Sequence, residues 1–120
     1  MRPIKFRAWN DIDKIMVKWS TLQASPVLFM NILKGKVKHH KLMQFTGLQD
    51  KNGVDIYEGD LISLHDNQRG FTKVVFRNAY VGGWLLVRNN NECSLGARRR
   101  EDLEVIGNIY QNPELLENKS

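Results

Sequence analysis

One cysteine, Cys93, is all the thiol chemistry this 120-residue chain has. A single thiol can neither close an intrachain disulfide nor supply a thiolate metal cage, so neither device staples the fold. Its neighbours Asn91, Glu92 and Ser94 suggest a polar loop or strand end with no orienting base, and the thiol reads as inert. Long apolar runs are missing too, and nothing approaches the ~20 residues needed to span a bilayer. The opening Met1-Arg2-Pro3-Ile4-Lys5-Phe6-Arg7 alternates charge with apolar residues and lacks the continuous apolar segment of a signal peptide. A cytoplasmic protein with no membrane partner is the expectation. There is no Gly-rich phosphate cradle followed by Lys and Ser/Thr, since Lys34-Gly35-Lys36 is only a turn. Ser20, Ser25, Ser63 and Ser94 have no recognisable nucleophile context.

What is present is enough for a real core. Apolar residues make up 42% of the chain and charged residues 26%, the balance of an ordinary globular domain. The length suits one compact unit with two regions, a basic N-terminal β region over 1–45 and a second region over 46–120. The net charge of +5 is unevenly spread. Residues 1–45 hold nine Lys/Arg against Asp11 and Asp13, a balance of +7, whereas 46–120 hold nine against eleven acids, a balance of −2. Such a division suits a polyanionic partner or head-to-tail self-association.

Ile4, Phe6 and Ala8 alternate with Lys5, Arg7 and Trp9, the period of a strand with one buried face. Asn10-Asp11-Ile12-Asp13 is turn-forming, and Lys14 to Trp19 reads as the returning strand of a hairpin, with Trp9 and Trp19 covering its base. Residues 20–33 are ambiguous. Ser25-Pro26 is a helix start in residue type, yet Val27, Phe29 and Ile32 favour strands and Lys34-Gly35-Lys36 resembles a hairpin tip. The reading taken is strand, turn, strand.

Phe45 lies in a strand that ends at Asp50-Lys51-Asn52-Gly53, where Asp50 accepts amides and Gly53 supplies positive φ. Val54, Ile56 and Tyr57 form a short strand, and Glu58-Gly59-Asp60 reverses the chain into Leu61, Ile62 and Leu64. Asp50, Gly53, Gly59 and Asp60 are therefore assigned to turn geometry. A polar loop over 65–70, strands over 71–77 and 84–88 joined by 78–83, and a turn over 89–91 follow. The last strand covers 103–110, with Gly107 marking a bulge or a close backbone approach. Asn112-Pro113-Glu114 opens a short C-terminal helix that docks through Leu115 and Leu116. The fold class expected is all-β and mainly antiparallel, a small barrel or sandwich.

Asp50, Asp55, Glu58 and Asp60 are the densest acidic set. They do not fit a helix-loop-helix calcium site, because the glycine arrives three residues after Asp50 and the twelfth position is Leu61. His39 and His40 would point to opposite faces of a strand and would not converge on one metal. No metal or cofactor is expected. The best functional lead is the basic segment Lys34, Lys36, Lys38, His40 and Lys41. In an extended strand its alternate residues would project at ~7 Å spacing, comparable to phosphates along a single nucleic-acid strand. Arg98, Arg99 and Arg100 add a second positive site. Neither run carries interleaved aromatics for stacking on unpaired bases. Lysines on an edge strand also serve as a defence against aggregation.

Three segments carry a family resemblance: Met1-Arg2-Pro3-Ile4-Lys5-Phe6-Arg7-Ala8-Trp9, the stretch from Leu42 to Ile62, and Leu103-Glu104-Val105-Ile106-Gly107-Asn108-Ile109-Tyr110-Gln111-Asn112-Pro113-Glu114-Leu115-Leu116. Together they resemble the YopX-like proteins of bacteriophages and prophages. The resemblance implies a phage or prophage origin in a bacterial host and an SH3-type β-barrel in the C-terminal half. It brings no catalytic or cofactor residues with it. The function expected is a non-catalytic accessory module that binds a host or phage protein or its own copies. Nucleic-acid binding through the basic N-terminal half is the alternative, and an enzyme of unspecified activity comes third.

Overall fold

The computed structural model describes residues 4–64, 71–77, 83–88, 91–95 and 99–114, and the chain divides into two units, Met1–Phe45 and Thr46–Ser120. In the first, strands β1 (Phe6–Asn10) and β2 (Ile15–Val17) form the expected hairpin, with Ala8 opposite Val17 and Asn10 opposite Ile15. Asn10 makes the turn. Its Oδ1 accepts the amides of Ile12 and Asp13 at 3.0 and 3.1 Å, while Lys14 takes a φ of 58°. The other edge of β1 pairs with the start of β3 (His40–Gln49), placing Ala8 opposite Leu42 and Arg7 opposite Met43.

Residues 20–33 overturn the strand, turn, strand reading. They form two helices, α1 (Trp19–Ala24) and α2 (Pro26–Leu33). Pro26 occupies the first turn of α2, where its fixed φ is pre-set for a helix; Ser25 makes no side-chain capping bond. Leu28, Phe29 and Ile32 then share one helical face and pack with Leu22 and Ala8. The rings of Phe6, Trp19 and Phe29 meet at 5.4–6.0 Å between centroids, the Trp19–Phe29 pair edge to face. Magnitudes decide the outcome. Strand preference spans only ~1 kcal/mol per residue and depends on context, while burying an isoleucine or phenylalanine contributes ~1.5–3 kcal/mol.

Lys34-Gly35-Lys36 is correspondingly a helix stop and no hairpin tip. Gly35 sits at φ 73°, its amide donates to Ile32 at 3.1 Å, and the Lys36 amide donates to Asn31 at 2.9 Å. That pair of bonds is a Schellman motif, which satisfies carbonyls left open at the end of α2.

In the second unit the end of β3 is followed by β4 (Asp55–Tyr57), β5 (Asp60–Leu64), β6 (Phe71–Arg77), β7 (Gly83–Arg88), β8 (Asn91–Ser94) and β9 (Leu103–Asn108). The last five form an antiparallel sheet in the order β8-β7-β6-β5-β9. Ile56, Ile62, Leu86, Leu95 and Leu103 are its buried core, with Leu48, Trp84 and Val105 against them. The bulge expected near Gly107 is present. Leu61 faces Gly107 and Ile62 faces Val105, which leaves Ile106 as the extra residue. A Cβ on Gly107 would collide with Asn112, so the glycine is closely approached by a side chain and not by backbone. Asn112 turns back towards β9, and its Oδ1 accepts the Asn108 amide at 3.2 Å. Asn108 Oδ1 in turn takes the amides of Tyr110 and Gln111 at 3.0 and 2.8 Å.

The chain is thus mostly antiparallel β with few helices. Pro113 and Glu114 are helical. The docking of Leu115 and Leu116, the loop 65–70, the connection 78–82 and the turn residues 89–90 lie outside the described residues.

Leu22 is fully buried between the helices and β1, so Leu22→Ala should cost ~2–5 kcal/mol of unfolding free energy in urea titrations. Gly107→Ala should cost ~1–3 kcal/mol in the same assay, because the Asn112 turn must shift to admit the methyl group.

Candidate functional site

Asp50 organises a densely bonded part of the second unit. It is fully buried, and both its oxygens are occupied. Oδ1 accepts the amides of Asn52 and Val54 at 2.8 and 2.9 Å, which shapes its own turn, and Gly53 completes that turn at φ 80°. Oδ2 accepts the Val105 amide of β9 at 2.9 Å. Two further bonds fasten the turn in place: Arg100 Nε donates to the Asp50 carbonyl at 2.8 Å, and the Lys51 amide donates to Leu103 at 2.9 Å. Burial pushes the Asp50 carboxyl upward, but the amides of Val105, Val54 and Asn52 and the Arg100 charge outweigh it and hold it below its ordinary value.

Asp60 plays a smaller version of this part. It is buried, its Oδ2 accepts the Tyr57 amide at 2.7 Å, and Gly59 beside it sits at φ 87°. Asp55 accepts from Gln49 Nε2 at 3.0 Å. Glu58 faces Tyr110, whose phenol is pushed up first by burial and then by the Glu58 charge. Among the described residues no three His, Cys, Asp or Glu side chains come together as a metal site. Dense in sequence, the four carboxylates do not gather as a metal site, and Asp50, Asp55 and Asp60 are each held by partners of their own.

The basic residues divide in two. Lys34, Lys36, Lys38 and Lys41 are exposed, and none pairs with a described carboxylate. They do not form the ladder expected of a strand, because β3 begins only at His40 and Lys34 to Lys38 occupy the helix stop and the turn after it. His40 is half-buried on β3, and His39 faces Asp11 at 3.4 Å. Arg98 lies outside the described residues. Arg99 is held by Asp102 at 3.2 Å and Glu101 at 3.6 Å, and Arg100 is committed to the Asp50 turn. In its described part the arginine run thus already has protein partners, while both side chains stay exposed.

One surface escaped the sequence reading. On α2, Val27, Met30 and Leu33 are 71%, 46% and 49% exposed, although the opposite face already fills the core. At ~100° per residue these three and Lys34 share the outward side of the helix. The signal was available. Residues 19–33 contain no charge, and no Asp or Glu occurs from Lys14 to Gln49. A helix that buries one face has no packing need for an apolar second one.

The YopX protein family matches residues 5–117. The chain belongs to the YopX family. Among solved structures, protein EF1440 from Enterococcus faecalis is similar at a TM-score of 0.67 and 23% identity, covering 97% of this chain and 99% of that one. YopX from Bacillus subtilis is similar at a TM-score of 0.56 and 18% identity, with all of both chains covered. At these identities the likeness shows the fold. No curated protein sequence matches. The YopX match takes in both the Asp50 turn and the outer face of α2.

Asp50→Asn should cost ~1–3 kcal/mol, since an amide nitrogen would face one of the backbone donors that the carboxylate now accepts. Because the folded carboxyl titrates below its ordinary value, its contribution is complete above about pH 4 and is lost as pH falls through the folded value. Urea midpoints measured between about pH 5 and 2 should therefore drop more steeply in the natural protein than in Asp50→Asn.

Proposed function

We propose that this YopX-family chain is a non-catalytic binding module whose ligand is another protein or a second copy of itself. The observation that carries the reading is the outer face of α2, three exposed apolar side chains on a charge-free helix followed by exposed lysines that pair with no described carboxylate. Exposed apolar patches with polar rims mark interaction surfaces. The carboxylates that might have served catalysis are taken up by backbone amides and neighbouring side chains, which argues for a structural role. The family resemblance supports a phage or prophage origin and a role inside the bacterial host cell. It also supports reading the five-stranded sheet as part of an SH3-type scaffold with a short C-terminal helix.

The second reading, nucleic-acid binding, is favoured by the exposure of Lys34, Lys36, Lys38 and Lys41, none of which pairs with a described carboxylate. Capture of tagged protein from infected host lysate, with and without nuclease, separates the two. A stoichiometric partner that survives nuclease supports the binding module, whereas a mixture that nuclease removes supports the second reading. Under that second reading, log affinity for duplex DNA should fall against log salt with a slope of about −3 to −4, as four neutralised phosphates require. Changing the four lysines to Glu should then abolish binding with the melting temperature kept. Binding that ignores salt would eliminate it.

A further inference from the structure

The outer face of α2 is apolar at its centre and basic at its end. Met30 and Lys34 are one helical turn apart on the same side, with Val27 and Leu33 flanking them. Lys36 is folded against the last turn of α2 by its bond to Asn31. The chain supplies no acid of its own between Lys14 and Gln49 to neutralise these cations. A complementary ligand therefore offers apolar anchors on one side and negative charge beside them.

Charge complementarity also selects among occupants. A second copy docking through the same face would set its own lysines against Lys34 and Lys36. Several of the described carboxylates elsewhere are also engaged at home: Glu104 with Lys51, Glu101 and Asp102 with Arg99, Asp55 with Gln49, and Asp50 and Asp60 with backbone amides. A nucleic acid would use the lysines but gain nothing from Val27, Met30 and Leu33, which cannot stack on bases. Binding to a bilayer surface scales with the apolar area buried, and three aliphatic side chains offer little of it. Two helical turns and three side chains fall well short of the ~800 Å² per partner of a standard globular interface. They fit one short helix.

We propose that the outer face of α2 docks an acidic amphipathic helix from another protein. Leucine-type anchors seat between Val27, Met30 and Leu33, and carboxylates reach Lys34 and Lys36. This assignment rests on the binding-module reading and names the partner's chemistry. The probe is a fluorescent peptide of about four helical turns, with Leu at i, i+3, i+4 and i+7 and mostly Glu elsewhere. Its control has the same composition with the leucines dispersed around the helix. Fluorescence anisotropy should show saturable binding of the first and at least tenfold weaker binding of the second. Met30→Asp and the pair Lys34→Glu, Lys36→Glu should each weaken binding at least tenfold. Circular dichroism and a cooperative thermal melt should be retained, because Met30 is half exposed, the lysines are exposed, and acids near the helix end cost little.

Absence of saturable binding to the amphipathic peptide overturns the assignment, as does indifference to Met30→Asp. Sedimentation showing self-association that Met30→Asp abolishes gives the face to a second copy. Anionic phosphatidylserine vesicles or a single-stranded oligonucleotide bound through Met30 give it to those ligands; any of these three results overturns the proposal. If a nuclease-resistant partner is still captured by Met30→Asp, the binding-module reading stands and only the assignment to α2 fails.

Discussion

A single buried carboxylate joins the local and long-range order of the second unit. Asp50 shapes its own turn through Asn52 and Val54 and holds β9 through Val105, across 55 residues of chain. A buried charge of this kind is tolerated only where donors replace its lost hydration, and three backbone amides do so here. The same bonds occupy hydrogen-bonding groups of β9, whose one strand neighbour in the sheet is β5. An exposed edge invites pairing with other chains, so the Asp50 turn also acts as a cover.

Charge is used differently in the two units. In Thr46–Ser120 Asp50, Asp55, Asp60, Glu101, Asp102 and Glu104 are matched to amides or basic neighbours, and Arg99 and Arg100 are engaged in the same way. In Met1–Phe45 the lysines that follow α2 are exposed beside an apolar surface and pair with no described carboxylate. Folding explains the first pattern. It does not require the second, since a solvated lysine next to Met30 does nothing for the core. A surface that stability leaves unexplained is where binding is to be sought.

Much of the β architecture was legible because its signals are local. The hairpin at Asn10, the strands through Ile62 and Leu86, and the bulge at Gly107 all follow from period-2 patterning and from residue types that turns demand. Residues 20–33 were misread because their decisive signal is not local. Val27, Phe29 and Ile32 favour strands as individuals, and the helix wins through contacts with Ala8 and Phe6 supplied by β1. The Gly35 turn was recognised as a turn but given the wrong partner element, since a glycine at positive φ ends helices as readily as it joins strands. At the candidate site, the local bonds of Asp50 could be foreseen from the spacing to Gly53. Its bond to Val105 could not, because nothing in a turn sequence says which distant strand it will meet.

The 55-residue separation between Asp50 and Val105 has a consequence for synthesis. At ~5–20 residues per second, roughly 3 to 11 s pass between the making of one partner and the making of the other. During that interval the turn can form, but its second oxygen has no β9 amide, and β5 has no partner on the edge where β9 belongs. The first unit has no such wait, because its hairpin and helices close within residues already made. On the ribosome the two units therefore mature in order. The nascent chain is most open to wrong strand pairing, including with chains on the same message, just before its final strand arrives.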